Sequence, residues 1–127
     1  MKRFISTLLV SLVLFSVCAT SVFAATVSKT AKLTVIDSIA YSGVINAYAT
    51  HVNGKNDSIS KDDVKFLLKQ KYLGVWYTDE SAIVKKGDSI QFDSSSKFSN
   101  THDWELVLNP SGVFSKECKA EGTITNR

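Results

Sequence analysis

The stretch SISKDDVKFLLKQKYLG, residues 58–74, decides the fold, because it reads two ways. As a helix, Ser60 caps with Asp63 three residues on. Asp62 and Asp63 then suit the positive end of the dipole, and Lys69 and Lys71 the negative end. Val64, Leu67, Leu68 and Tyr72 follow helical spacing, and Gly74 supplies a C-terminal stop. As a strand, Val64, Phe66 and Leu68 alternate with Lys65 and Leu67. The sequence on both sides is rich in strand formers. That context selects a strand over 63–69, with at most one short helix at 60–73.

Downstream, Val75–Thr78 (VWYT) is dense in residues that suit a pleated surface. Lys86-Gly87-Asp88 marks a turn, and Ile90 and Phe92 share one face of a strand over 89–92. Residues 93–103 (DSSSKFSNTHD) read as a polar loop. Trp104, Leu106 and Leu108 point one way from the strand 104–108. Asn109-Pro110-Ser111-Gly112 fits a type I turn. A last strand, 113–125, places Phe114, Cys118, Ala120 and Ile124 on one face. The turn is expected to set these last two strands side by side.

Upstream, Ala31–Val35 alternates apolar and polar, behind a loose tail at 25–30. Ser42-Gly43 breaks the chain, Val44–Val52 reads as a strand, and Asn53-Gly54 as a turn. About seven short strands with turns every 8–12 residues predict an all-β domain. The expected fold is a small antiparallel β-sandwich, Ig-like or jelly-roll-like. Its core should hold Leu33, Val35, Phe66, Leu68, Ile90 and Phe92 beside the faces named above.

The segments VKFLLKQKYLGVWYTDESAIVKKGDSIQF, DWELVLNPSG and AEGTIT, within residues 64–125, resemble the strand plan of small secreted bacterial β-sandwich proteins. The resemblance implies the fold. Many such proteins have no assigned activity, so it implies no catalysis.

Residues 1–24 read as a secretory signal peptide. Lys2 and Arg3 precede an uncharged run over 4–18, and Val22-Phe23-Ala24 fits signal peptidase. The run is shorter than the ~20 apolar residues of a spanning helix. Cleavage after Ala24 leaves 103 of the 127 residues, one domain, beginning at Ala25. It also leaves 13 basic against 12 acidic residues, a balance of +1. That argues against a nucleic-acid partner or a polybasic membrane anchor. Cys118 is then the only cysteine, so no intramolecular disulfide forms, and no cofactor is expected.

His51 and His102 lack the local spacing of a zinc site and read as solvated. Cys118 reads as a small buried hydrophobe, with an intermolecular disulfide as the rival. Asp57, Asp62, Asp63, Asp93 and Asp103 lack the Asp-x-Asp-x-Asp-Gly calcium loop. No nucleophile motif surrounds Ser94–Ser96. Trp76 and Tyr77 must face opposite sides of their strand, so one is exposed. They are the candidate binding residues. The expected function is a secreted, non-enzymatic module that binds an extracellular protein or a glycan. The alternative is an antimicrobial or toxin-like protein acting on other cells.

Overall fold

The structure, a computed structural model, describes residues 25–111 and 117–127. These residues form nine strands and no helix. They are β1 (Ser28–Leu33), β2 (Ala40–Tyr41), β3 (Ile45–Ala47), β4 (Thr50–Asn56) and β5 (Val64–Tyr72). There follow β6 (Val75–Val84), β7 (Ser89–Asp93), β8 (His102–Pro110) and β9 (Ala120–Asn126).

One sheet has the order β1-β9-β4-β7. The other has β2-β8-β5-β6, with β3 also on β8. All pairings are antiparallel. β2 and β3 lie along the same neighbour, so they act as one interrupted strand. Pairing then runs first with last, second with seventh, third with sixth, and fourth with fifth. That nesting is one long hairpin rolled up, the plan of a jelly roll. It excludes the Ig-like alternative, whose sheets are wired differently.

Residues 64–72 form a strand and not a helix. Val64, Phe66 and Leu68 are fully buried on one face, against which a helical stripe would compete in vain. β5 also pairs on both edges, with β6 over Val64–Tyr72 and with β8 over Val64–Lys71, and this gives its backbone groups partners on both sides.

Asn53-Gly54 is not a turn. Both residues lie inside β4, and Gly54 sits directly across from Gly122 of β9. A side chain at Gly54 would fall inside the Phe66 ring, and one at Gly122 would lie 2.7 Å from Leu106 Cδ2. The glycine pair is therefore a dimple in one sheet that receives Phe66, Leu106 and Leu108 from the other. Glycine within a strand commonly marks such a close approach.

The expected C-terminal hairpin does not form. β8 and β9 belong to different sheets, so Trp104, Leu106 and Leu108 meet Ile124 and Ala120 across the core. Trp104, Leu106, Leu108, Ala120 and Ile124 are buried as expected, although the last strand begins at Ala120 and not at 113. Cys118 is fully buried, but in the segment before β9, with Sγ 3.6 Å from the Asp62 carbonyl. Phe114 lies outside the described residues, as does the signal peptide.

Smaller corrections concern strand bounds and burial. Ser28–Thr30, read as a tail, pair with Thr123–Thr125. Val35 is 45% exposed and lies beyond β1, so it is not core. The stretch 44–52 splits where the chain changes sheets, after Ala47. Ile90 and Phe92 pack against the core while half-buried. β6 runs on to Val84, and β8 begins at His102.

Candidate functional site

The outer face of the four-stranded sheet is polar because inward positions alternate with outward ones. Ala31, Leu33, Val52, Ala120 and Ile124 face the core. Their neighbours form rungs across the sheet. One rung is Lys32, Glu121, Lys55 and Ser89. The next is Thr30, Thr123, Asn53 and Gln91, and the third is Ser28, Thr125, His51 and Asp93. Hydroxyl pairs stitch two rungs: Thr30 Oγ1 to Thr123 Oγ1 at 2.9 Å, and Ser28 Oγ to Thr125 Oγ1 at 3.0 Å.

Loops wall the first rung, with Thr123, Asn53 and Gln91 of the second, into a groove of about 920 Å³. One wall is Thr34-Val35. The Thr34 amide and hydroxyl donate to Asp37 Oδ2 at 3.0 and 2.6 Å, and these bonds hold the Asp37 carboxyl below the usual carboxylate range. The other wall is Asp57 to Ile59, with Lys119. Asp57 N donates to the Lys119 carbonyl at 2.8 Å, and Asp57 Oδ1 accepts from Ile59 N at 3.0 Å. Ser60 Oγ donates to Lys119 O at 2.9 Å and accepts from Lys119 N at 2.8 Å. Buried Asn56 anchors this loop from below through Nδ2, which donates to the carbonyls of Val84 and Asp62.

Both walls are thus built before any ligand arrives. Ammonium, amide and hydroxyl donors line the floor, and Glu121 supplies an acceptor. Among the described residues, Lys32, Lys55 and Lys119 make no ion pair within 4.0 Å. The lining residues include neither histidine nor cysteine.

The histidines are not simply solvated. His51 Nδ1 lies 2.6 Å from Asp93 Oδ1, and Arg127 Nη1 lies 3.0 Å from Asp93 Oδ2. Chiefly the His51 bond, helped by the Arg127 charge, depresses the Asp93 carboxyl. This cluster occupies the third rung, outside the groove lining. His102 packs its ring on Phe98, with centroids 4.0 Å apart, and stacks toward Tyr72 at 6.0 Å. Among the described residues no group of three His, Cys, Asp or Glu side chains is placed to hold a metal ion.

Trp76 and Tyr77 lie in β6, opposite Lys71 and Gln70 on opposite faces of the strand. Tyr77 is exposed. Trp76 is half-buried, with Lys71 Nζ 5.8 Å from its ring centroid. They belong to the five-stranded sheet and take no part in the groove. Aromatic density was the signal that picked them out. The groove carried only a weaker one, hydroxyl and amide residues at outward positions of four separate strands.

No protein-family model matches the chain, and no curated protein matches it. The family resemblance read over 64–125 therefore reaches no further than the β-sandwich itself. Among solved structures, the chain is similar to the crystal structure of PirA, with 12% identity and a TM-score of 0.47, over 86% of this chain and 99% of that one. It is also similar to the crystal structure of Yersinia pseudotuberculosis-derived mitogen (YPM), with 9% identity and a TM-score of 0.45, over 82% of this chain and 86% of that one.

Proposed function

We propose that this protein is a secreted, non-enzymatic binding module whose ligand is an extracellular or cell-envelope glycan held in the groove of the four-stranded sheet. The preformed groove, with lysine, amide and hydroxyl groups at the outward floor positions between hydrogen-bonded walls, carries the reading. Sugars present rows of hydroxyls, and a floor of amides, hydroxyls and ammonium groups answers them in kind. Its volume lies within the ~300–1,000 Å³ of small-ligand sites. The three lysines against Glu121 and Asp57 favour an acidic sugar, such as a uronic acid.

The non-enzymatic part of the reading rests on placement. Among the described residues, His51 and Asp93 form the one histidine–carboxylate contact on this face, and they sit on the open third rung. The antimicrobial or toxin-like alternative, which small size and export permit, would need an amphipathic apolar segment such as a helix at 60–73, and Val64–Tyr72 within that stretch form a strand. Export with cleavage after Ala24 belongs to the same proposal; protein recovered from the medium should begin with Ala25.

The test is a glycan array followed by calorimetric titration. Binding to a uronic-acid oligosaccharide should weaken by about tenfold or more in Lys55→Ala, which removes a charge-assisted contact of about 1.5–3 kcal/mol, and by about two- to tenfold in Asn53→Ala, which removes an amide contact of about 0.5–1.5 kcal/mol. Trp76→Ala should bind as the unaltered protein does. A loss confined to Trp76→Ala would move the site to the other sheet, and failure to retain any glycan would remove the reading.

A further inference from the structure

Leu73 has φ +49° and is 85% exposed. It shares the β5–β6 turn with Gly74, at φ +78°. Positive φ at both central residues is the mark of a type I′ hairpin, where Asn-Gly is the usual choice. A branched apolar residue here is strained and bare to water at once. Strain kept at an exposed position points to a use.

The surroundings say which use. Past the Lys71–Asp103 pair, β5 loses β8 as a ladder neighbour, so the turn and the Tyr72–Val75 rung project beyond it, with the Tyr72 ring stacked toward His102 at their base. A side chain at Gly74 would meet nothing within 4 Å. Behind Leu73 the rungs are Tyr72 with Val75, Lys71 with Trp76, Gln70 with Tyr77, and Lys69 with Thr78. Tyr72, Val75 and Tyr77 share one face and are each about half exposed, at 50%, 52% and 51%. Trp76 stands on the other face with Lys69 and Lys71.

The tip thus carries aromatic or aliphatic side chains on both faces, with lysines set back on one of them, which suits immersion better than contact with one flat partner. Its order matches a bilayer boundary: an aliphatic point, then amphipathic rings, then ammonium groups. Aromatics with a polar handle favour that boundary, and lysine heads reach back to it. The distance from Leu73 to the Tyr77 rung is about 10 Å at 3.4 Å per residue, close to the ~5–10 Å depth of interfacial insertion. Residues 64–78 hold three lysines and no carboxylate. Asp103 and Glu105 lie beside Lys71 and Lys69 on β8, one strand inward, while the Lys71 ammonium leans outward over Trp76.

We propose that the β5–β6 hairpin tip docks this protein reversibly on an anionic lipid surface, with Leu73 inserted, Tyr72, Trp76 and Tyr77 at the headgroup level, and Lys69 and Lys71 on the lipid charges. This goes beyond the groove reading and does not depend on it.

Vesicles of phosphatidylcholine with or without phosphatidylglycerol test the proposal. The full chain is sedimented with them, and Trp76 is followed by quenching from brominated acyl chains. Trp104 is fully buried and contributes little to the change. Sedimentation with the phosphatidylglycerol vesicles and quenching of Trp76 are expected. Leu73→Asn, which suits the turn and keeps the fold, should weaken partitioning about tenfold. Lys69→Gln with Lys71→Gln should erase the preference for phosphatidylglycerol. Equal partitioning of Leu73→Asn and the unaltered protein would overturn the proposal, since binding would then come from elsewhere in the chain. So would absence of sedimentation, or a preference for phosphatidylglycerol that survives loss of both lysines. A concentration-dependent dimer lost in Leu73→Asn, without vesicle binding, would also overturn it and give the tip to a second copy of the chain.

Discussion

Gly54 and Gly122 face each other across two adjacent strands, and Phe66 fills the space they leave. Gly54→Ala drives a methyl into the ring from a rigid backbone, so the cost should be large, about 3 kcal/mol, in the range of overpacked cores. Phe66→Leu alone should cost about 1–2 kcal/mol as a partial cavity. Together they should cost less than the sum, because each relieves the other. Urea titration of the three variants decides it; strict additivity would separate Phe66 from Gly54. The same core gives a contrast along β8. Leu106→Ala should cost about 2–5 kcal/mol. Glu105 points outward, and partial burial raises its carboxyl above the usual range against the pull of Lys69. A raised acid is a burden in the folded state at neutral pH, relieved as pH falls through the folded value. Glu105→Gln should therefore leave stability at pH 7 unchanged or slightly higher. A loss as large as that of Leu106→Ala would invert the inward and outward faces. Residue-level alternation was legible at Phe66, Leu68, Trp104, Leu106, Leu108 and Ile124. Asn53-Gly54 misled because its meaning is set by a ring twelve residues further on, and no local pattern records that.

At the scale of elements, the β5–β6 hairpin shows a conflict between turn chemistry and surface. A non-glycine residue in the left-handed region costs about 1–2 kcal/mol. Asn tolerates that region better, so Leu73→Asn should raise stability by about 0.5–1 kcal/mol, seen as a higher urea midpoint with an unchanged slope. A fall in the midpoint would mean that Leu73 packs usefully where it stands. Strands β5, β7 and β9 were legible because alternation is a property of one segment. Their neighbours were not. The Asn109–Gly112 turn signal suggested a hairpin, yet β8 pairs with β5 and β9 with β1 and β4. The groove was illegible for the same reason. Its floor comes from four strands that the sequence keeps far apart, and an outward Thr or Lys in any one of them looks like ordinary surface. The short β2 escaped notice because two residues carry no period.

At the scale of the molecule, β5 separates two surfaces. The groove wall at Asp57 to Ile59 leads into Val64, and eight residues later Tyr72 opens the hairpin tip. At about 3.4 Å per residue the two lie roughly 30 Å apart. A molecule resting on its tip would hold the groove away from the surface beneath it. The rolled hairpin also has a consequence in time. β9 lies between β1 and β4 and is the last of these nine strands to be made. Ser28 waits for Thr125, 97 residues away. During synthesis, at about 5–20 residues per second, the four-stranded sheet has nothing at its centre for several seconds. The chain must stay open until residues 120–126 emerge, a state suited to threading through a narrow passage. A nascent chain halted after Pro110 and clear of the ribosome should be cut by protease throughout 28–56, and one halted after Arg127 and equally clear should resist. Protection already present at the earlier halt would mean that β1 and β4 have found another partner. The strand that closes the sandwich thus also sets the moment at which the protein stops being a thread.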